Sequence, residues 1–340
     1  MIKLDYKKYL KSEVSNFERR YIRKIILNKF EKPKSNSTNK TLQQLEKEKQ
    51  FDNRKKISIL RVYSYLLKKN DKFKEISLED IILAKPENLT DLLNKIKTID
   101  KNHELYTTLT DIFKYTDKFQ DKVITKFFTN NFNFTTCLYC NKDFIINFNA
   151  PKKTSTFQLD HFYDKGKYPY LALSFYNLIP SCSTCNSSKV KGSKDCFKHD
   201  SKVGEFENET CKIPNHEKFD FDQKVKFKLF MTESCKDLNI KNKENIDIKL
   251  KENYSNEYEK YIEVFKLNER YQAHKDIVFE MIKNAELYPE SRLKELQELT
   301  GIPYQEIKKD IFNLIEDDAD LSKEPFSKLK RDMAKELGLT

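Results

Sequence analysis

Glycine and proline are scarce in this 340-residue chain, at five and nine residues, and both are thinly spread. Such composition excludes collagen-like repeats and the Gly- or Pro-rich make-up of flexible linkers. No internal repeat is visible, and no eighteen consecutive residues are apolar, so no transmembrane helix is expected. The opening MIKLDYKKYLKSEV scatters charge and lacks the apolar core of a secretion signal, which predicts a cytoplasmic protein with no membrane partner.

What the chain has in plenty is charge. Lys and Arg number 64 against 53 Asp and Glu, a formal +11. The excess is uneven: 30 basic and 18 acidic side chains over 1–130 give +12, 9 and 5 over 131–200 give +4, and 25 and 30 over 201–340 give −5. A basic bias confined to the first 200 residues points to a polyanionic partner there, with Arg19, Arg20, Arg23 and Lys24 placed to follow a phosphate backbone. Hydrophobic residues make up 38%, enough for a core of ordinary size.

Periodicity divides the chain in three. Residues 1–130 read as a basic helical region: Phe17, Tyr21, Ile22, Ile25 and Ile26 recur at helical spacing. A second helical tract runs over 41–69, Pro86 closes a unit, and helices follow over 91–97 and 105–128. Residues 131–200 change texture, with FIINFN (144–149) and TSTFQLDHF (154–162) predicted as strands about a turn at Pro151. NLIPSC (177–182) supplies another strand, and CNSSKVKG (185–192) a short helix ended by Gly192. Residues 201–340 hold a strand over 218–231, with Val225, Phe227 and Leu229 on one face, and then helices broken near Pro289, Pro303 and Pro325. Tyr258, Tyr261, Phe265 and Tyr271 read first as core and second as a partner surface. The predicted fold is mainly α with a small central ββα unit, an α+β arrangement.

Seven cysteines without a secretion signal argue for thiols or metal rather than disulfides. Cys137/Cys140 and Cys182/Cys185 are two Cys-x-x-Cys pairs, and each pair can present two thiolates from one turn. Together they supply the four ligands of a structural zinc, which leaves no position for a catalytic water. A looser cluster, Cys196, His199, Cys211 and His216, has spacing that resembles zinc ligation and is the candidate for a second metal site.

Between the knuckles lies DHFYDKGKYPYLALSFYNLIPSCSTCN (160–186). His161 suits a general base, since a neutral imidazole accepts a proton at physiological pH. Asp160 and the amide oxygen of Asn186 are hard donors suited to Mg²⁺ or Mn²⁺. Side chains alternate along a strand, so Asp160 and His161 can serve one site only if the strand bends or ends at this pair. Lys165, Lys167, Lys189, Lys191 and Lys194 are candidate phosphate contacts.

The order Asp-His, Asn, Asn interleaved with both Cys-x-x-Cys pairs resembles the HNH endonuclease superfamily, whose active site is a ββα-metal finger. The matching stretch covers about 137–192, and Asn186 stands where the family often has His, making this an H-N-N variant. The resemblance implies that Asn177 orients the His161 ring and pins its loop, and that the product ends are 5′-phosphate and 3′-hydroxyl. With DIFKYTDKF (111–119) ahead of CLYCNKDFI (137–145), the arrangement is similar to bacterial anti-phage defence HNH nucleases of the Septu type. That likeness implies an SMC/ABC-type ATPase partner. Three expectations stay open: DNA cleavage first, cleavage of RNA including tRNA second, and a non-catalytic zinc-stabilised binding subunit third.

Overall fold

The computed structural model describes residues 1–9, 14–25, 67–68, 70–113, 120–196, 213–233, 235 and 240–340. Helix α1 (Val14–Ile25) buries Phe17, Tyr21, Ile22 and Ile25 and exposes Arg19, Arg20, Arg23 and Lys24. The stripe predicted from spacing is thus its buried face; Ile26 and the tract 41–66 lie outside the described residues. The Phe17 ring packs 4.8 Å from Phe127 and Phe132 and 5.1 Å from Phe175. Tilted ring pairs at such distances add about 0.5–1.5 kcal/mol each beyond the area they bury. Tyr21 Oη donates to Leu173 O at 3.1 Å, so α1 also braces the loop that follows His161.

A short helix, Leu78–Ile82, ends just ahead of Pro86, which is itself the first residue of α2 (Pro86–Ile96). The first helical position has no intrahelical partner for its N–H, and proline's fixed φ suits the helix, so the residue costs nothing there. Helices α3 (Glu104–Ile112) and α4 (Lys126–Asn131) carry the chain toward the strands.

The sheets are small, antiparallel and two-stranded. Strand β1 (Asn147–Ala150) pairs with β2 (Lys152–Ser155) about Pro151. The segment TSTFQLDHF is not one strand. Thr156 N still donates to Ile146 O at 2.9 Å, and the chain then changes partner. Strand β3 (Gln158–His161) pairs with β4 (Leu178–Ser181), placing Asp160 opposite Ile179 and His161 opposite Leu178. Helix α5 (Ser183–Asn186) starts at once after β4; it ends earlier than the sequence suggests, and Gly192 (φ 51°) shapes the turn beyond it.

Strand β5 (Val225–Met231) pairs with β6 (Ile246–Glu252), with Val225 and Phe227 buried and Leu229 half-buried. Helices α6 (Leu267–Gln272), α7 (Lys275–Leu287), α8 (Glu290–Thr300), α9 (Tyr304–Phe312) and α10 (Ser327–Glu336) complete the chain. Pro289 and Pro303 stand immediately before α8 and α9, and Pro325 lies just ahead of α10, as their spacing predicts. Tyr258, Tyr261, Phe265 and Tyr271 are fully buried and belong to the core. The fold is therefore mixed α and β with small sheets. Among the described residues, no helix is long and apolar enough to cross a membrane.

A buried charge network fastens α10 to β5. Asp222 accepts from Lys328 Nζ at 2.9 Å and Arg331 Nη2 at 2.5 Å, while Asp332 accepts from Lys328 Nζ at 2.8 Å and Phe227 N at 3.0 Å. Burial pushes the Asp222 carboxyl up, but Lys328 and Arg331 outweigh it and hold it at about 2. A depressed carboxylate stabilises the fold above its unfolded pKa and loses that contribution as pH falls toward its folded value. Asp222→Asn is expected to cost about 1–2 kcal/mol at pH 7, after discounting for its partial exposure. It should also flatten the stability profile between about pH 4 and 2. Identical urea midpoints for wild type and variant at pH 7 would exclude this.

Candidate active site and four-cysteine centre

Cys137 and Cys140 sit on a tight turn in which Asn141 N donates to Cys137 O at 2.8 Å. The turn closes because Asn141 adopts φ 51°, a left-handed conformation that asparagine tolerates better than most residues. Cys182 caps α5, its Sγ accepting from Cys185 N at 3.4 Å, and Cys182 N donates to Cys137 Sγ at 3.3 Å. All four Sγ atoms are buried and lie within 4.8 Å of one another, with Cys140 and Cys182 at 4.0 Å. Thiolates arranged tetrahedrally at about 2.3 Å from zinc stand about 3.8 Å apart, so the quartet can hold a metal such as zinc.

Electrostatics favour a bound cation. Burial raises the Cys140 thiol, but hydrogen bonds from Cys137, Cys182 and Cys185 outweigh it and hold Cys140 well below the ordinary thiol range. Cys182 is pushed up by Cys137 and Cys140, and Cys185 is pushed up by burial. Cys140 therefore forms a thiolate easily while Cys182 and Cys185 resist, because several negative sulfurs cannot share a dry pocket without a counter-charge. Arg270 supplies part of that charge, donating from Nη1 to Cys185 Sγ at 3.2 Å and from Nη2 to Asp143 at 3.4 Å.

Distant segments clamp the first knuckle. Tyr271 Oη donates to Cys140 O at 2.6 Å, and the Met1 nitrogen donates to Leu138 O at 2.9 Å and Tyr139 O at 3.2 Å. Asn141 Nδ2 donates to Leu321 O at 2.8 Å and Glu324 O at 3.2 Å, while its Oδ1 accepts from Lys328 N at 3.0 Å. Sequence reasoning does not reach Arg270, Asn141 or the bond that Tyr271 makes to the knuckle, because their partners lie too far along the chain for spacing to reveal.

Strand β3 ends at the Asp160–His161 pair, and the two side chains go separate ways. His161 is 8% exposed, and its Nε2 lies 3.0 Å from Ala172 O. A carbonyl oxygen only accepts, so Nε2 carries the hydrogen and Nδ1 is the proton-accepting nitrogen. Burial, then the charge of Lys165, lowers the ring to about 3 against the opposing bond to Ala172, so the imidazole is neutral at physiological pH. Asn177 fixes the loop that holds Ala172. Its Oδ1 accepts from Tyr163 N at 2.8 Å, and its Nδ2 donates to Tyr163 O at 3.0 Å and Leu171 O at 3.2 Å. The structure thus brings His161 and Asn177 into one buried loop closure.

Asp160 is 3% exposed and turns to the other side. Its Oδ2 accepts from Tyr139 Oη at 2.7 Å, and Lys191 Nζ lies 3.1 Å from Oδ1 and 3.0 Å from Oδ2. Tyr139 stays protonated, since burial and then Asp160 push its hydroxyl well above the ordinary range. Burial also raises the Asp160 carboxyl, against Lys191 and Tyr139. Lys191 is held charged by Asp160 despite its own burial. Asn186 is half-buried and donates from Nδ2 to Gln158 Oε1 at 2.9 Å.

The Mg²⁺ or Mn²⁺ implied by the resemblance does not fit these residues as arranged. A hard dication needs the carboxylate charge and room for water ligands. Asp160 offers neither, because an ammonium already bridges both its oxygens in a closed pocket.

Lys191 is not a surface phosphate contact, since it is wholly buried in that pair. Lys165, Lys189 and Lys194 are exposed, and Lys194 Nζ donates to Val190 O at 2.8 Å. Lys167 pairs with Asp195 at 2.6 Å. Of the looser cluster, Cys196 is buried, with its thiol pushed up to about 12 by burial, and His216 Nδ1 accepts from Lys218 N at 3.0 Å. His199 and Cys211 lie outside the described residues. Comparison with protein-family models, with curated proteins and with solved structures finds no match.

Proposed function

We propose that the chain is an HNH-type nuclease that hydrolyses phosphodiester bonds, with DNA as substrate before RNA. In this reading β3, β4 and α5 form the ββα finger, and zinc on Cys137, Cys140, Cys182 and Cys185 braces it. The observation that carries the proposal is the His161–Asn177 loop closure. The Ala172 carbonyl orients the imidazole through Nε2, and Asn177 holds the loop that carries that carbonyl, an arrangement suited to positioning the ring as a base toward an attacking water. Asn177 acts at one remove, by holding the loop that positions the ring. Exposed Lys165, Lys189 and Lys194 add positive charge near the finger for a phosphate backbone.

A second reading, a zinc-stabilised nucleic-acid-binding subunit that does not cut, is favoured by one observation: Asp160 is closed off by Lys191. The likeness to Septu-type proteins adds phage defence beside an SMC/ABC-type ATPase as the proposed setting. The test is incubation of folded, zinc-loaded protein with supercoiled plasmid, single-stranded DNA and RNA. Each substrate is tried with Mg²⁺, with Mn²⁺ and with neither, alone and with an ATPase encoded beside it. Nicked plasmid with 5′-phosphate ends is expected. Binding without cleavage of any substrate would leave the second reading in its place.

A further inference from the structure

A lysine that is 0% exposed is rare in a globular protein unless its charge is paired. Lys191 is paired on every side that matters. Its backbone N donates to Cys185 O at 3.3 Å, which roots it beside the thiol quartet. Its ammonium reaches both oxygens of Asp160 at 3.1 and 3.0 Å and donates to His161 O at 2.7 Å. A weaker bond runs to Gly192 O at 3.5 Å. One side chain thus spans the acid and the backbone of the adjacent proposed base.

We propose that Lys191 is a tethered cation seated where a divalent ion would otherwise bind Asp160, so that the centre takes up no Mg²⁺ or Mn²⁺ while Lys191 is in place. An ion bound at about 2.1 Å from an Asp160 oxygen would lie within roughly 5 Å of the ammonium. In a closed, weakly screening pocket, like charges at that distance exclude each other. The two cations compete for one carboxylate, and the covalently attached one has the higher effective concentration. Tyr139 holds the carboxylate from the opposite side and so keeps it facing Lys191.

The inference rests on the proposed function only in taking Asp160 as the ion's donor. It is decided by metal binding, whether or not the chain cuts nucleic acid. Full-length zinc-loaded protein is titrated with Mn²⁺, and free ion is followed by electron paramagnetic resonance. Lys191→Met is expected to bind Mn²⁺ at least about tenfold more tightly than wild type. That gain should vanish in Lys191→Met combined with Asp160→Asn. Equal, Asp160-dependent binding in wild type and Lys191→Met would overturn the proposal, as would a folded Lys191→Met that gains no binding.

Should the variant not fold, wild type decides by nuclear magnetic resonance. Sharp amide signals for Asp160 and His161, while exposed carboxylate regions broaden in excess Mn²⁺, support the proposal. Selective broadening of those two signals at one equivalent overturns it.

Discussion

Stripping the four-cysteine centre of zinc, or replacing Cys185 with serine, is expected to unfold the chain cooperatively rather than loosen one loop. Structural zinc on thiolates contributes about 10–16 kcal/mol of apparent binding free energy in small zinc-finger peptides at neutral pH. Whole domains retain only about 5–15 kcal/mol of net stability. Losing a term of that size removes the margin. The effect should spread because the knuckle is the meeting place of distant segments: Tyr271 bonds Cys140 O, and Arg270 lies against Cys185. Without the cation, Arg270 is left to offset buried sulfur on its own. One equivalent of zinc by elemental analysis is expected, with a fall in melting temperature of more than about 10 °C on chelation. A zinc-free preparation that melts like the native protein, or Cys185→Ser that keeps full zinc and stability, would remove the metal from the account.

His161→Ala is expected to lower the rate of phosphodiester cleavage by about 10²–10⁴-fold, the usual range for loss of a positioned base. That corresponds to about 3–5 kcal/mol of barrier. The cost to folding should be smaller, about 1–2 kcal/mol, because the change leaves Ala172 O without its buried donor. Added imidazole should restore part of the activity to His161→Ala by entering the vacated space. The same additive should do nothing for Asn177→Ala, whose loss disorganises the loop through Tyr163 and Leu171 instead of deleting a base. Plasmid nicking rates read both variants. Undiminished cleavage by His161→Ala would take the base role away from this residue.

Features that announced themselves in the sequence are those whose chemistry is local. A Cys-x-x-Cys pair carries two ligands on one turn, so its spacing alone identifies it. The pairing of His161 with Asn177 rests on the family resemblance rather than on spacing; a single loop, returned on itself by β3 and β4, brings the two together. The amphipathic stripe of α1 was equally plain. Pro86 marks both the end of one helical unit and the start of the next, because proline suits the first turn of a helix as well as the residues beyond its end. The segment 154–162 reads as one continuous strand because its composition is strand-like throughout. The change of partner after Thr156 is imposed by β4, more than twenty residues further on. Lys191 looked like any solvated lysine in KVKG, since an ammonium is buried only where a distant carboxylate, here Asp160, receives it.

Asn141 bears on how such a chain can diversify. Glycine would meet the backbone demand of the knuckle turn at least as well. It would do so without the side chain that Leu321, Glu324, Ser327 and Lys328 meet from the far end of the chain. Phe326 N closes the same contact on Asn141 O at 2.7 Å. The first Cys-x-x-Cys knuckle and the C-terminal segment therefore form a matched pair, joined through Asn141. A knuckle tied in this way should not be exchangeable without the C-terminal segment that holds it. Lineages carrying a different C-terminal segment should show their compensation at the position after the second cysteine.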